Sequence, residues 1–114
     1  MQDCLFCKIA AGQIPSDKVY EDEICYAFRD INPQAPTHIL IIPKEHMANV
    51  VECAGRTDGL LGRLFQAAAR IAQDQGLDEK GFRLVTNCGE YGAQSVHHFH
   101  IHLLGGRQLS GQMG

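Results

Sequence analysis

With 114 residues, 45% of them hydrophobic and 20% charged, the chain has the material for one globular domain, 1–114, around a single core and without a linker. A formal charge of -3 and a pI near 6.0 exclude the basic surface that nucleic acid or an anionic membrane attracts, so any phosphate-bearing ligand is expected to be small. No apolar run has the length of a membrane span and Met1-Gln2-Asp3 lacks the regions of a secretion signal, so a cytoplasmic protein is expected.

The stretch from Cys4 to Gly12 has the apolar spacing of a short helix, stopped by Gly12 and Pro15. Cys4 and Cys7 sit on one turn of it, where both thiolates can reach one tetrahedral zinc. A redox pair is the alternative use, but that motif follows a βαβ pattern and nothing precedes this one. Five cysteines, an odd number, argue against a disulfide framework; Cys25, Cys53 and Cys88 read as small buried hydrophobes.

Two strands follow, Lys18 to Glu21 and Ile24 to Arg29, joined by the acidic turn Asp22-Glu23. Asp30 closes the second, where its carboxylate could simply cap the loop. After a loop marked by Pro33 and Pro36, Thr37 to Ile42 is a near-continuous apolar run ended by Pro43, which predicts a strand covered on both faces in the middle of a sheet. His38 is out of place there. It is either a core histidine with its hydrogen bond satisfied or a site residue. His46 lies in the loop beyond Pro43, free to act as a ligand.

The longest helix is predicted from about Thr57, as N-cap, to Gln75, with Gly76 behind it. Leu60, Leu61, Leu64, Phe65, Ala68, Ile71 and Ala72 form its apolar stripe, and Gly59 and Gly62 weaken its first turns. Phe82 to Asn87 reads as a further strand. A glycine-bearing loop, Cys88 to Ala93, leads from it into Gln94-Ser95-Val96-His97-His98-Phe99-His100-Ile101-His102-Leu103-Leu104-Gly105-Gly106. As a strand, this last segment aligns His98, His100 and His102 on one face and Phe99, Ile101 and Leu103 on the other. Three imidazoles in a row are a poor choice for stability alone, but they suit metal ligation or attack on a phosphate. The chain contains neither a P-loop nor a Gly-x-Gly-x-x-Gly fingerprint, so side chains and loop amides would have to hold such a phosphate. The order of elements predicts an α+β fold with an antiparallel sheet.

The run His98-Phe99-His100-Ile101-His102-Leu103-Leu104 resembles the His-x-His-x-His-x-x signature of the histidine triad superfamily of nucleotide hydrolases and transferases. Its surroundings, Gln94-Ser95-Val96 before it and Leu104-Gly105-Gly106-Arg107 after it, resemble the Hint branch, the purine nucleoside phosphoramidases. The segment Asp30-Ile31-Asn32-Pro33-Gln34-Ala35-Pro36-Thr37-His38 is similar to that branch as well, and the likeness runs from Cys4 to Arg107. It implies a histidine triad fold, with a five-stranded antiparallel sheet and one long and one short helix, and a homodimer in which two sheets join.

By that resemblance the chain is expected to cleave purine nucleoside 5'-phosphoramidates and acyl-nucleotides through a covalent nucleotidyl-histidine. His100 corresponds to the nucleophile, His102 to the donor that meets a phosphate oxygen, His38 to a supporting histidine, and Ser95 to the group beside the leaving amine. Asn87 and backbone amides around Gln94 to Val96 match the phosphate-side contacts, Asp30 the ribose contact, and Ile31 and Phe28 the base pocket. In zinc-bearing bacterial relatives the positions of Cys4, Cys7, His46 and His98 hold one structural zinc, which catalysis does not need. His97 departs from the family, where tyrosine or phenylalanine is usual. The other classes are a dinucleoside polyphosphate hydrolase or nucleotidyltransferase of the same superfamily and a non-catalytic nucleotide-binding module. The transferases carry glutamine where this chain has His102, and an intact triad speaks against the module.

Overall fold

Residues 3–114 are described by a computed structural model. In chain order the elements are α1 (Leu5–Ala10), β1 (Lys18–Glu21), β2 (Cys25–Arg29), β3 (Thr37–Pro43), α2 (Val50–Ala54), α3 (Leu60–Asp74), β4 (Arg83–Val85) and β5 (Ile101–Gly105). The strands form one sheet in the order β1-β2-β3-β5-β4, and every neighbouring pair is antiparallel. The α+β fold expected from the sequence is the one observed, with the apolar run at β3 in the centre of the sheet.

Directly opposed residues of an antiparallel ladder share a face. Phe28, Leu40, His102 and Val85 therefore form a row across four strands, and Ala27, Ile41 and Ile101 a row behind it. The rear face carries the main core. There Leu60, Leu64, Ala67, Ala68, Ile71 and Ala72 of α3 pack on Ile39, Ile41, Ile101 and Leu103, with Phe99 among them. The front face is covered at one end by α1, whose Phe6 and Ile9 pack with Tyr26, Phe28, Leu40 and Ile42. Beyond α1 the same face carries the histidines.

The sheet's local details follow from particular side chains. Asp22 accepts from the Ile24 and Cys25 amides at 2.8 and 2.9 Å, which folds the acidic turn between β1 and β2. The long helix starts at Leu60 and not at Thr57, because Gly59 adopts φ +77 while Asp58 is engaged by Arg56 and the Leu60 amide. Phe65, expected in its buried stripe, is 39% exposed, and Ala67 is buried in its place. The short α2 is an addition to the expected elements. Asn49 caps it by accepting from the Glu52 amide at 3.0 Å. The strands around the triad are shorter than the sequence suggests: β4 keeps three residues of Phe82 to Asn87, and β5 begins only at Ile101, so His98 and His100 precede it. No helix among the described residues is long and apolar enough to cross a membrane.

Candidate functional site

Which nitrogen carries the proton in each imidazole follows from its fixed partners. The His98 carbonyl lies 2.8 Å from His100 Nδ1 and can only accept, so that nitrogen is protonated and Nε2 keeps a free lone pair. The Gln34 amide N–H donates to His38 Nδ1 at 3.0 Å, so the His38 proton sits on Nε2. From there it donates to His102 Nδ1 at 2.9 Å, which leaves the His102 proton on Nε2. The pair His100 and His102, with ring centroids 4.9 Å apart, thus combines a bare nitrogen on one ring with an N–H on the next.

These assignments hold for neutral rings, and the surroundings keep the rings neutral. Burial pushes His102 down to about 4, helped by His100 and His38 on either side of it. His100 is also held below its usual range by burial, against the pull of the His98 carbonyl. For His38, burial outweighs the Asp30 carboxylate 3.5 Å from Nε2, and the shift is again downward. Neutral imidazole is the nucleophilic form.

The second group lies at the join of α1 and the sheet. Cys4 is the N-cap of α1 and Cys7 is one turn further on; His46 follows β3, and His98 is fully buried. Their donor atoms all lie within 4.8 Å of one another. His98 Nδ1 is 3.2 Å from Cys4 Sγ and 3.4 Å from Cys7 Sγ, and His46 Nδ1 is 3.4 Å from Cys7 Sγ. The His98 Nε2–H donates to the Pro43 carbonyl at 2.8 Å, so the nitrogen turned toward the sulfurs is the bare one. Zinc bonds of about 2.3 Å to sulfur and 2.0 Å to nitrogen at a tetrahedral angle separate the two donors by about 3.5 Å. The four residues therefore fit a closed zinc site. Burial, followed by the Cys4 sulfur, pushes the Cys7 thiol up to about 11, and a cation in the cluster would offset this.

Of the remaining candidates, Asp30 closes β2 beside His38, accepting from the Asn32 amide through Oδ1 at 2.9 Å. Ile31 is 92% exposed next to it, whereas Phe28 is buried against Phe6, with ring centroids 5.5 Å apart. Asn87 donates to the Gly92 carbonyl at 2.6 Å. Gln94 is the knot of the loop after β4. Its side chain accepts from the Gly89 amide and donates to the Ala48 and Val96 carbonyls, and its own amide donates to Gly89 O. Ser95 and His97 are exposed, and Val96 is half-buried on the front core.

Sequence reasoning missed three contributors. Gln34 supplies the amide that orients His38, a role its side chain gives no hint of. Phe6 packs edge-on against His98 and His100, at 6.1 and 5.1 Å, and so touches both groups of histidines. Thr86 donates to the His100 carbonyl at 2.9 Å from the end of β4. A phenylalanine on a helix and a threonine after a strand carry no signal of such roles.

A HIT domain profile matches residues 11–109. The chain is 48% identical over 108 residues to the purine nucleoside phosphoramidase of Escherichia coli K12, covering 95% of this chain and 91% of that one. It is 49% identical over 110 residues to the 14 kDa zinc-binding protein of Brassica juncea, covering 95% of this chain and 96% of that one. The solved structure of a HIT family hydrolase from Legionella pneumophila Philadelphia 1 superimposes with a TM-score of 0.94 at 51% identity, covering 98% of this chain and all of that one.

Proposed function

The chain belongs to the HIT domain family, and from that premise we propose that it is a purine nucleoside phosphoramidase working through a nucleotidyl-histidine intermediate. The observation that carries the reading is the proton pattern of the triad: a bare Nε2 on His100 beside a protonated Nε2 on His102. In the first step the His100 Nε2 lone pair attacks the α-phosphorus and the bond from phosphorus to the leaving nitrogen breaks. A neutral attacking nitrogen avoids the repulsion that hydroxide meets at an anionic phosphate. His102 Nε2–H donates to a non-bridging oxygen as charge develops on it. The amine departs with a proton relayed from solvent through the Ser95 hydroxyl, which accepts one proton as it donates another; the water of the second step returns a proton to solvent. Water then displaces His100 from phosphorus and releases the nucleoside monophosphate.

The nucleotide is held by Asp30 at the ribose hydroxyls, Ile31 and Phe28 at the base, and Asn87 with the Ser95 and Val96 amides on the phosphate side. The Gln94 amide is engaged by Gly89, so Gln94 supports this loop rather than lending its own N–H. One zinc per chain is held by Cys4, Cys7, His46 and His98, a set that leaves no open position for chemistry. When bound, it supplies folding energy by tying α1 to the sheet. A homodimer forms by joining two sheets, for which the three-residue edge strand β4 offers an open ladder. The cytoplasm is the compartment, in keeping with five free cysteines.

The test is a comparison of substrates: an adenosine phosphoramidate with a fluorescent amine, diadenosine polyphosphates, and the uridine counterpart of the first. The adenosine phosphoramidate is expected to turn over fastest. Faster cleavage of a diadenosine polyphosphate moves the chain to another HIT activity, and nucleotide binding without turnover makes it a binding module.

A further inference from the structure

The glycine-glycine-arginine turn after β5 has no part in the chemistry above. Gly105 pairs with Thr37 at the start of β3, and a Cβ on it would stand 2.9 Å from Leu77 Cδ1. Gly106 has φ +94, and a Cβ there would stand 2.9 Å from Pro36 Cβ. Gly105 thus leaves room for Leu77, and Gly106 lets the chain close onto Pro36 of the loop before β3, where its positive φ turns the chain. Arg107 then reaches the loop itself. Its Nη2 donates to the Gln34 carbonyl at 3.0 Å, and its Nη1 donates to Gln108 O at 3.0 Å. Among the described residues no carboxylate pairs with this guanidinium.

Gln34 is the residue whose amide N–H fixes His38. We propose that Arg107 is a positioning residue of the triad: it holds the Gln34 carbonyl so that the Gln34 amide stays on His38 Nδ1, which sets the proton positions of His38 and His102. A charge-assisted hydrogen bond is stronger than a neutral one, and the loop it restrains is otherwise tied by the Gln34 side-chain bond to Asn32 O, the Asp30 carboxylate bond to Asn32 N and the Asp30 amide bond to the His38 carbonyl at its base. The carbonyl and the N–H of Gln34 lie in successive peptide units joined at its Cα, so with the carbonyl released the backbone can rotate about the Gln34 φ and ψ, carry the N–H off Nδ1, and leave His38 able to hold its proton there. A bare Nε2 would then face the bare Nδ1 of His102 across 2.9 Å, with the Asp30 carboxylate on its other side. That arrangement is repulsive, and His102 leaves it only by moving its own proton to Nδ1, away from the phosphate.

The test has a spectroscopic arm and a turnover arm, of which only the second rests on the phosphoramidase reading. In two-bond proton–nitrogen correlation spectra of labelled full-length protein, His38 and His102 should each be protonated on Nε2. Arg107→Ala should mix the two tautomers at His38 and lower kcat for the adenosine phosphoramidate by roughly tenfold, the loss of about one well-aligned hydrogen bond, with KM within about twofold of the parent. Arg107→Lys keeps a cation that can reach the carbonyl and should restore most of both signals. A His38 spectrum in Arg107→Ala identical to the parent's overturns the proposal, as does a lower melting temperature with kcat unchanged. If the parent fails to turn over phosphoramidates, it is the functional reading that falls, and the His38 spectrum alone still decides the role of Arg107.

Discussion

At the level of single residues, three side chains carry distinguishable predictions. His100→Ala should abolish turnover while leaving nucleotide affinity largely in place, because in the proposed chemistry the ring's bare Nε2 is the attacking atom. Activity within tenfold of the parent would remove it from the role. Ser95→Ala should lower phosphoramidate turnover by about tenfold, the value of one transition-state hydrogen bond of roughly 1.4 kcal/mol. A nucleotide with a fluoride or anhydride leaving group should change much less, since such a group departs with little need of a proton; parallel losses would make Ser95 a general positioning group. His102 gives a prediction in pH. Its native pKa is depressed to about 4, whereas the unfolded chain takes up its proton near the ordinary imidazole value, about 6.5. Between those values the unfolded state binds more protons, so stability falls as pH drops from about 7 towards 4, and the effect levels off below. Thermal melts of the parent and of His102→Gln across that range check this: the parent should lose stability more steeply, and identical slopes would contradict a buried neutral His102.

The element that couples the two histidine groups is α1, although it is only six residues long. Its first turn supplies Cys4 and Cys7, and Phe6 between them packs on Phe28, His98 and His100. Phe6→Ala should therefore destabilise the protein by about 3 kcal/mol, as large-to-small changes in a core do, and also slow turnover by freeing the His100 ring. Loss of stability with unchanged kcat would limit Phe6 to packing. If the proposed zinc is held there, the parent should carry one per chain, and Cys4→Ser together with Cys7→Ser should eliminate it and lower the melting temperature, by roughly 4–8 °C for each kcal/mol lost in a domain near this size. The chemistry of the molecules still folded should change less. Elemental analysis and a melt check both halves, and a loss of activity with no loss of stability would make the metal catalytic instead.

Elements and faces were more legible in the sequence than boundaries. The central position of β3 could be read because an unbroken apolar run of strand length needs cover on both faces, which only the middle of a sheet provides. The alternation around Phe99, Ile101 and Leu103 likewise predicted the rear face correctly. The start of α3 could not be read, because Gly59 and the Arg56–Asp58 pair decide it through contacts beyond local propensity. The spacing of Cys4 and Cys7 was legible as a pair, and their meeting with His46 and His98 came from resemblance; the structure brings all four together. The proton positions of the triad were illegible for a different reason. They depend on the Gln34 amide and the His98 carbonyl, groups that every residue but proline possesses and only the fold aims.

For the molecule as a whole, the proposed function gives one sheet two separate tasks: a zinc site that would secure α1 at one end, and phosphoryl chemistry along the row from Phe28 to His102. Light scattering should give twice the 12.6 kDa chain mass if sheets join through β4, and a single-chain mass would contradict the dimer. The covalent step underlies the whole functional reading, and acid quench during turnover of the adenosine phosphoramidate, followed by peptide mass spectrometry, probes it without intermediaries. An adenylyl group is expected on His100 and on no other residue. Turnover that proceeds with no adduct, or with one on His98 or His102, would contradict it.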